Sequence, residues 1–256
     1  LAYSLAEAKS YRLRGVQVPV LEPGSEPLQV LHLSDLHMTP RQAGKAEWIQ
    51  HLADLQPDLV VATGDFMAHP DAVYPVTAAL GPLLDIPGVF VFGSNDYYAP
   101  KIGNPFTYLV GPTNYDRGEP DLPWPELSSA LSSGGWIDLS NRRDHIKVDG
   151  RLIDVRGVDD PHIGRDQYEP IAGPFDPTAD LALGVSHAPY LRVLDAMADD
   201  GAQLIMAGHT HGGQVCIPGY GALVTNCDID TSRVKGLHHH KNSWLHVSAG
   251  LGTNPM

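Results

Sequence analysis

Short apolar runs that stop abruptly at polar residues set the pattern of this chain. Val16–Val20 alternates apolar and polar positions and predicts a strand. Leu28–Leu33 predicts a buried strand that runs straight into Ser34, Asp35 and His37. Arg41–Leu55 has helical spacing through Ala46, Ile49, Leu52 and Ala53, with Pro57 just beyond it. Asp58–Asp65 predicts a second strand ending at Gly64-Asp65, and Asp71–Leu80 predicts a helix stopped by Gly81-Pro82. Gly88–Asp96 predicts a third strand with the same polar ending. Strand, helix, strand, helix, strand in this order implies parallel pairing in a layered α/β fold, where ligands bind at the carboxyl edge of the strands.

Regularity lapses over Tyr97–Pro125, a stretch of Pro, Gly and aromatic residues that predicts a loop-rich insert within a single domain spanning residues 1–256. Its expected role is either a cover over a lipid or nucleoside group of a substrate, or a packed surface loop. Pro125–Gly135 predicts a short helix with a glycine stop, and Asp144–Val158 a hairpin through the Asp149-Gly150 turn. Asp180–Pro189 predicts a buried strand ending in Ser186-His187, and Leu191–Ala198 a helix. Ala202–Gly213 predicts a strand ending in His209 and His211, and Ser243–Gly252 a last strand. The run His238–His240 is expected in a solvated loop.

Composition narrows the chemistry. At 256 residues and 43% hydrophobic the chain supports a sizeable core, and 26 glycines with 22 prolines predict many loops. No apolar run reaches the ~18 residues of a membrane span. A formal net charge of -13 opposes a sequence-independent grip on nucleic acid and electrostatic docking on an anionic membrane. A protein so acidic that handles phosphate needs a local positive charge, which bound metal ions supply. Cys216 and Cys227 are too few for a disulfide framework or a four-cysteine zinc site; reduced thiols are expected, with a single bridge left open. The first residues carry no charged-then-apolar leader, and an anchor upstream of Leu1 is left open.

Thirteen histidines stand against 17 lysines plus arginines, and several fall into a pattern with carboxylates. Strand ends present Asp35-x-His37, Gly64-Asp65, Asn95-Asp96, His187 and Gly208-His209-x-His211. Each alone is weak; together they form a set of metal-ligand type, and its size points to two divalent ions. Residues i and i+2 of an extended segment face one side, so Asp35 with His37, and His209 with His211, can serve one site. Asp65 is the natural carboxylate bridge. Mixed nitrogen and oxygen donors suit Mn, Zn or Fe rather than Ca or Mg.

These motifs resemble the calcineurin-like metallophosphoesterases: Ser34–His37, Thr63–Asp65, Gly93–Asp96, Ser186-His187 and Gly208–Gln214. The last of these, with Val247–Thr253, is most similar to the YkuE-like bacterial branch, in which membrane association through a segment absent from this chain is an open expectation. The resemblance implies a four-layer αββα sandwich and a dinuclear centre at the carboxyl ends of the strands. It implies that Asp35, His37 and His211 hold the first ion and Asn95, His187 and His209 the second, with Asp65 bridging. It implies in-line attack on phosphorus by a metal-bound hydroxide. The family reads Gly-Asn-His-Asp/Glu where this chain has Gly93-Ser94-Asn95-Asp96. Without a gap Ser94 replaces the Asn ligand; shifted by one residue, Asn95 keeps that role and Asp96 stands beside the phosphate as candidate acid. The shifted register is favoured because an un-ionised serine hydroxyl is a weak ligand, and a bulge after Gly93 absorbs the extra residue. His69, His162 and His246 are the alternative proton donors.

The function expected is hydrolysis of a phosphodiester, because a missing acid penalises poor leaving groups most. A phosphomonoesterase and a non-catalytic binding or scaffold protein of the same fold are the alternatives. Nuclease activity is opposed by the charge, and no sequence-specific nucleic-acid partner is expected. The expected location is the cytoplasm or membrane surface of a bacterium.

Overall fold

The computed structural model describes residues 10–100, 118–213, 216–217, 221–222 and 224–252. Strands β1 (Val30–Leu33), β2 (Leu59–Ala62), β3 (Gly88–Phe90) and β4 (Ile137–Asp138) form a parallel sheet in that order. The second sheet has six strands in the order β11-β12-β8-β7-β6-β5. These are β5 (Arg142–Val148), β6 (Arg151–Gly157), β7 (Leu181–Val185), β8 (Leu204–Ala207), β11 (Gly236–His240) and β12 (Ser243–Val247). Its centre, β6 to β8 with β12, is parallel, and β5 and β11 run antiparallel at the edges. A separate short pair joins β9 (Cys216–Ile217) to β10 (Gly221–Ala222).

The apolar runs sort onto opposite faces with the strand period of two. In β2, Leu59 and Val61 pack between the sheets with Val89, Val155, Leu183 and Met206. Val60 and Ala62 face outward with Leu33 and Phe90, onto α1 (Ala43–Gln50), α2 (Val73–Leu84) and α4 (Trp124–Ser133). On the other side Ala182, Ile205 and Leu245 meet α5 (Leu191–Asp199) through Val193, Leu194 and Met197. Helix, sheet, sheet, helix is the expected αββα order. The single turn α3 (Ser94–Tyr97) follows β3.

Several elements differ from expectation. Val16–Val20 forms no strand: Val20 N–H turns back onto Val18 O, and the side chains of Val18 and Val20 pack against the inter-sheet core. Helix α2 runs through Gly81-Pro82 to Leu84. Pro82 costs the helix its bond to the carbonyl of Ala78, four residues back, but the Gln50 amide of α1 donates to that oxygen at 2.9 Å. His238–His240 belongs to edge strand β11, where His239 packs on Trp244 and His240 pairs with Asp195 at 2.9 Å. The Asp149-Gly150 hairpin forms as expected, with φ of 49° and 77°. Most of the Tyr97–Pro125 insert lies outside the described residues; its flanks meet where Tyr97 and Trp124 pack edge to face at 5.3 Å. Cys227 carries a free thiol. Among the described residues no helix is long and apolar enough to cross a membrane.

Candidate metal centre

The carboxyl ends of β1, β2, β3, β7 and β8 open onto one place. Pairing of β1 with β2 continues past the strands: Asp35 N donates to Gly64 O, His37 N to Asp65 O and Met38 N to Phe66 O, at 2.8–2.9 Å. Yet the segments are not extended. Asp35, His37, Asp65, His209 and His211 all have positive φ, between 42° and 68°. The left-handed region costs a non-glycine residue about 1–2 kcal/mol. Five such residues at one site persist because the surrounding hydrogen bonds over-determine them. The i, i+2 spacing therefore converges through paired left-handed turns, not through the strand alternation expected from sequence.

Asp65 stands between two imidazole pairs. Its Oδ2 lies 3.6 Å from His37 Nε2, and its Oδ1 lies 3.6 Å from His187 Nε2. His37 Nε2 faces His211 Nε2 at 3.2 Å, and His187 Nε2 faces His209 Nδ1 at 3.3 Å. Asp35 Oδ1 is 3.5 Å from His211 Nε2. The ligand atoms of Asp35, His37 and His211 converge within 4.8 Å, as do those of Asp35, Asp65 and His187. His209 joins through His187. Carbonyl partners fix the ring orientations, since a carbonyl only accepts: His187 Nδ1–H donates to Thr63 O at 2.6 Å, and His209 Nε2–H to Asn226 O at 3.3 Å. That turns His187 Nε2 and His209 Nδ1 inward.

Asp35 Oδ1 is buried without a hydrogen-bond partner, an expensive state for a carboxylate unless a cation completes it. Facing imidazole nitrogens and buried carboxylates make a donor set that fits borderline transition ions. Burial pulls the His37 ring down to about 4 and the His209 ring well below its usual range. Burial also acts to lower His187, but the carboxylates of Asp65, Asp160 and Asp35 outweigh it and raise this ring to about 9. Burial would raise Asp65; His187, His37 and the Asn95 donors together hold it below the carboxylate range. A metal ion therefore meets a neutral His37 and an ionised Asp65, but must displace a proton from His187. Metal affinity should rise with pH toward 9, with at least one proton released per chain on loading at neutral pH. Calorimetric titration in buffers of different ionisation enthalpy measures this; loading without proton release would contradict the assignment.

Residues 28–213 match the calcineurin-like phosphoesterase family. The chain belongs to that family. It is 27% identical over 237 residues to the metallophosphoesterase YkoQ of Bacillus subtilis, covering 90% of this chain and 78% of YkoQ. It is 25% identical over 242 residues to YkuE of the same organism, covering 93% and 76%. It is 25% identical over 232 residues to the phosphodiesterase YaeI of Escherichia coli, covering 89% and 76%. The chain is thus a phosphoric ester hydrolase of the calcineurin-like family, in its YkuE-like bacterial branch.

In this phosphoesterase the third motif lacks the bulge expected after Gly93. Helix α3 turns directly from Gly93, with Asp96 N on Gly93 O and Tyr98 N on Ser94 O, and no bulge intervenes. Asp96 is fully buried and accepts from four backbone N–H groups: Asp65 (2.9 Å), Phe66 (2.8 Å), Met67 (3.1 Å) and Gly93 (2.9 Å). Burial and the Asp65 charge push its carboxyl up, but four donors favour the ionised form, and both oxygens are spent on the backbone. Asp96 is a structural tie, not the acid beside the phosphate. Asn95 does reach the cluster. Its N–H donates to Asp65 Oδ1 at 2.8 Å and its Nδ2 to Oδ2 at 2.7 Å.

Of the alternative donors, His69 is exposed and accepts from Asp71 N, while His246 pairs with His32 across the sheets at 2.9 Å. His162 packs against His209, ring centroids 4.4 Å apart. Sequence reasoning missed the glycines that let the ligands approach. A Cβ at Gly208 would overlap Ser34 Oγ and stand 2.7 Å from Asp35 Oδ2. A Cβ at Gly250 would stand 2.7 Å from that of Asp35, and the chain there binds the first ligand loop through Leu251 N to Ser34 O and Gly252 N to Asp35 O. Gly208→Ala should therefore release metal and cost ~1–3 kcal/mol through overpacking, visible by elemental analysis and thermal melting. Full metal content at unchanged melting temperature would contradict this packing.

Proposed function

We propose that this phosphoesterase hydrolyses phosphodiesters that carry an apolar or nucleoside ester group. The arrangement that carries the reading is Asp65 lodged between the His37–His211 and His187–His209 pairs with Asp35 beside it. Asp35, His37 and His211 would hold one divalent ion, His187, His209 and Asn95 a second, and Asp65 both. When bound, Mn, Zn or Fe ions in such a site supply Lewis acidity to the phosphoryl oxygens and lower the pKa of water. The protein's own part is to fix the His187 and His209 rings on the Thr63 and Asn226 carbonyls and to keep Asp65 ionised, so that little reorganisation accompanies the reaction. Asn95 orients Asp65 by donating to both its oxygens.

Diester preference is supported by the name of YaeI, a phosphodiesterase. It is supported also by the absence of an acid in the third motif, which leaves a poor alkoxide leaving group without help from that loop. An open cleft of about 380 Å³ is lined by Met38, Pro40, Ala43, Tyr74 and Pro75 together with Thr39, Gln42 and Asp71; none of the predicted ligands lines it, and it is proposed here only as a place for an apolar ester group. The test is a comparison of bis(p-nitrophenyl) phosphate with p-nitrophenyl phosphate on protein purified without chelator and assayed for Mn, Zn and Fe. A kcat/KM higher for the diester is expected; a clear monoester preference would overturn the diester reading. No turnover of either with metal fully loaded would favour the scaffold alternative.

A further inference from the structure

The backbone of the turn that carries the first two predicted ligands, Ser34–Met38, can be accounted for group by group. Its N–H groups go to the loop after β2: Asp35 N to Gly64 O, His37 N to Asp65 O and Met38 N to Phe66 O. Its carbonyls are taken from elsewhere. Leu251 N donates to Ser34 O at 3.0 Å, Gly252 N to Asp35 O at 2.6 Å and Ala68 N to Met38 O at 2.9 Å. Leu36 O, between Asp35 and His37, has no backbone donor among the described residues. Its partner is the Lys45 ammonium of α1, at 2.7 Å. Gly252 comes so close that a Cβ there would stand 2.8 Å from Leu36 O, but its N–H is spent on Asp35 O.

Lysine is a costly residue at this position. Lys45 is buried, only 4% exposed, and among the described residues no carboxylate pairs with it. It stands in the first turn of α1, which has no acidic residue and no side-chain cap. Burial without a counter-charge and the positive end of the helix dipole both disfavour an ammonium there. A residue that only filled the core would be apolar. What the ammonium does is hold Leu36 O while Asp35 and His37, on either side, keep left-handed backbone at φ of 53° and 42°. That backbone aims both side chains at His211, with Asp35 Oδ1 at 3.5 Å and His37 Nε2 at 3.2 Å from its Nε2. His187 and His209 are fixed by other groups, the Thr63 and Asn226 carbonyls.

We infer that Lys45 is a positioning residue for the first ion: tied to Leu36 O, it sets the Asp35–His37 turn in its metal-binding geometry without itself being a ligand. The inference rests on the dinuclear reading above, so its test counts ions as well as turnover. Metal-loaded protein is dialysed against stepped Mn concentrations, bound ions are counted by elemental analysis, and diester turnover and thermal melting are followed over the same series. Lys45→Met removes charge and donor but keeps an unbranched stem; Lys45→Gln keeps an N–H without the charge; Lys45→Arg keeps both. Lys45→Met should hold one ion much as wild type does and need about tenfold more Mn to keep the other. Half-maximal turnover should shift to higher Mn by the same factor, and Lys45→Gln and Lys45→Arg should each recover part of the loss. Anomalous scattering from Lys45→Met crystals at intermediate Mn should find the ion depleted among Asp35, His37 and His211. An unchanged Mn dependence would overturn the inference. So would tighter binding in Lys45→Met, which would mean that the ammonium acts by repelling the cations. Equal weakening of both ions with a lower melting temperature would overturn it too, making Lys45 a general prop. A wild type that holds a single ion at saturating Mn would overturn the dinuclear reading, while the shift in that ion's affinity would still decide on Lys45.

Discussion

Asp65→Ala is expected to lose at least one ion and at least about a thousandfold of phosphodiester hydrolysis. Its two oxygens face different imidazoles, Oδ2 toward His37 and Oδ1 toward His187, each at 3.6 Å. Asp35 also lies near both pairs, but its Oδ2 is already occupied by Ser34 Oγ and His209 N, which leaves it one oxygen for an ion. Removing Asp65 also strips Asn95 of both acceptors and leaves His187 without the charge that most raises its basicity. Asp65→Asn keeps the volume but puts an N–H₂ where one ion needs a lone pair, so it should fail nearly as badly. Elemental analysis beside steady-state kinetics separates the outcomes. Activity retained with two ions bound would remove Asp65 from the bridging position.

Asp96→Ala should destabilise the fold by about 3–5 kcal/mol, because it leaves four buried backbone N–H groups unpaired. For a chain of this size that corresponds to a fall in Tm of about 10 °C. Asp96→Asn should be nearly as harmful, since its amide turns one acceptor into a donor that faces other donors. An acid would behave differently: the Asn variant would melt like wild type and lose only substrates with poor leaving groups. Thermal melting of the two variants, with kinetics on good and poor leaving groups, distinguishes the two roles. The structure predicts loss of stability first and activity as a consequence.

Strands β1, β2, β3, β7 and β8 were legible because sheets buried on both faces demand unbroken apolar runs, and their polar endings stood out for the same reason. The ligand set was legible because few other sites ask for Asp, His and Asn at so many strand ends. What escaped depended on partners distant in sequence. Whether Asp96 faces solvent or backbone is decided by N–H groups thirty residues earlier. Whether Pro82 stops a helix is decided by Gln50. Val16–Val20 has a strand's alternation but no strand beside it. The left-handed backbone of Asp35, His37, Asp65, His209 and His211 leaves no mark on side chains of those types. The glycines at 208, 250 and 252 did carry a signal, as places where another backbone or a carboxylate comes too close for a Cβ.

The most direct test is a crystal structure of protein loaded with Mn or Zn, with anomalous scattering used to count and place the ions. Two ions per chain are expected, one among Asp35, His37 and His211 and one beside His187 and His209, with Asp65 touching both. A single ion at full loading, or a second ion with His187 turned away from it, would contradict the account.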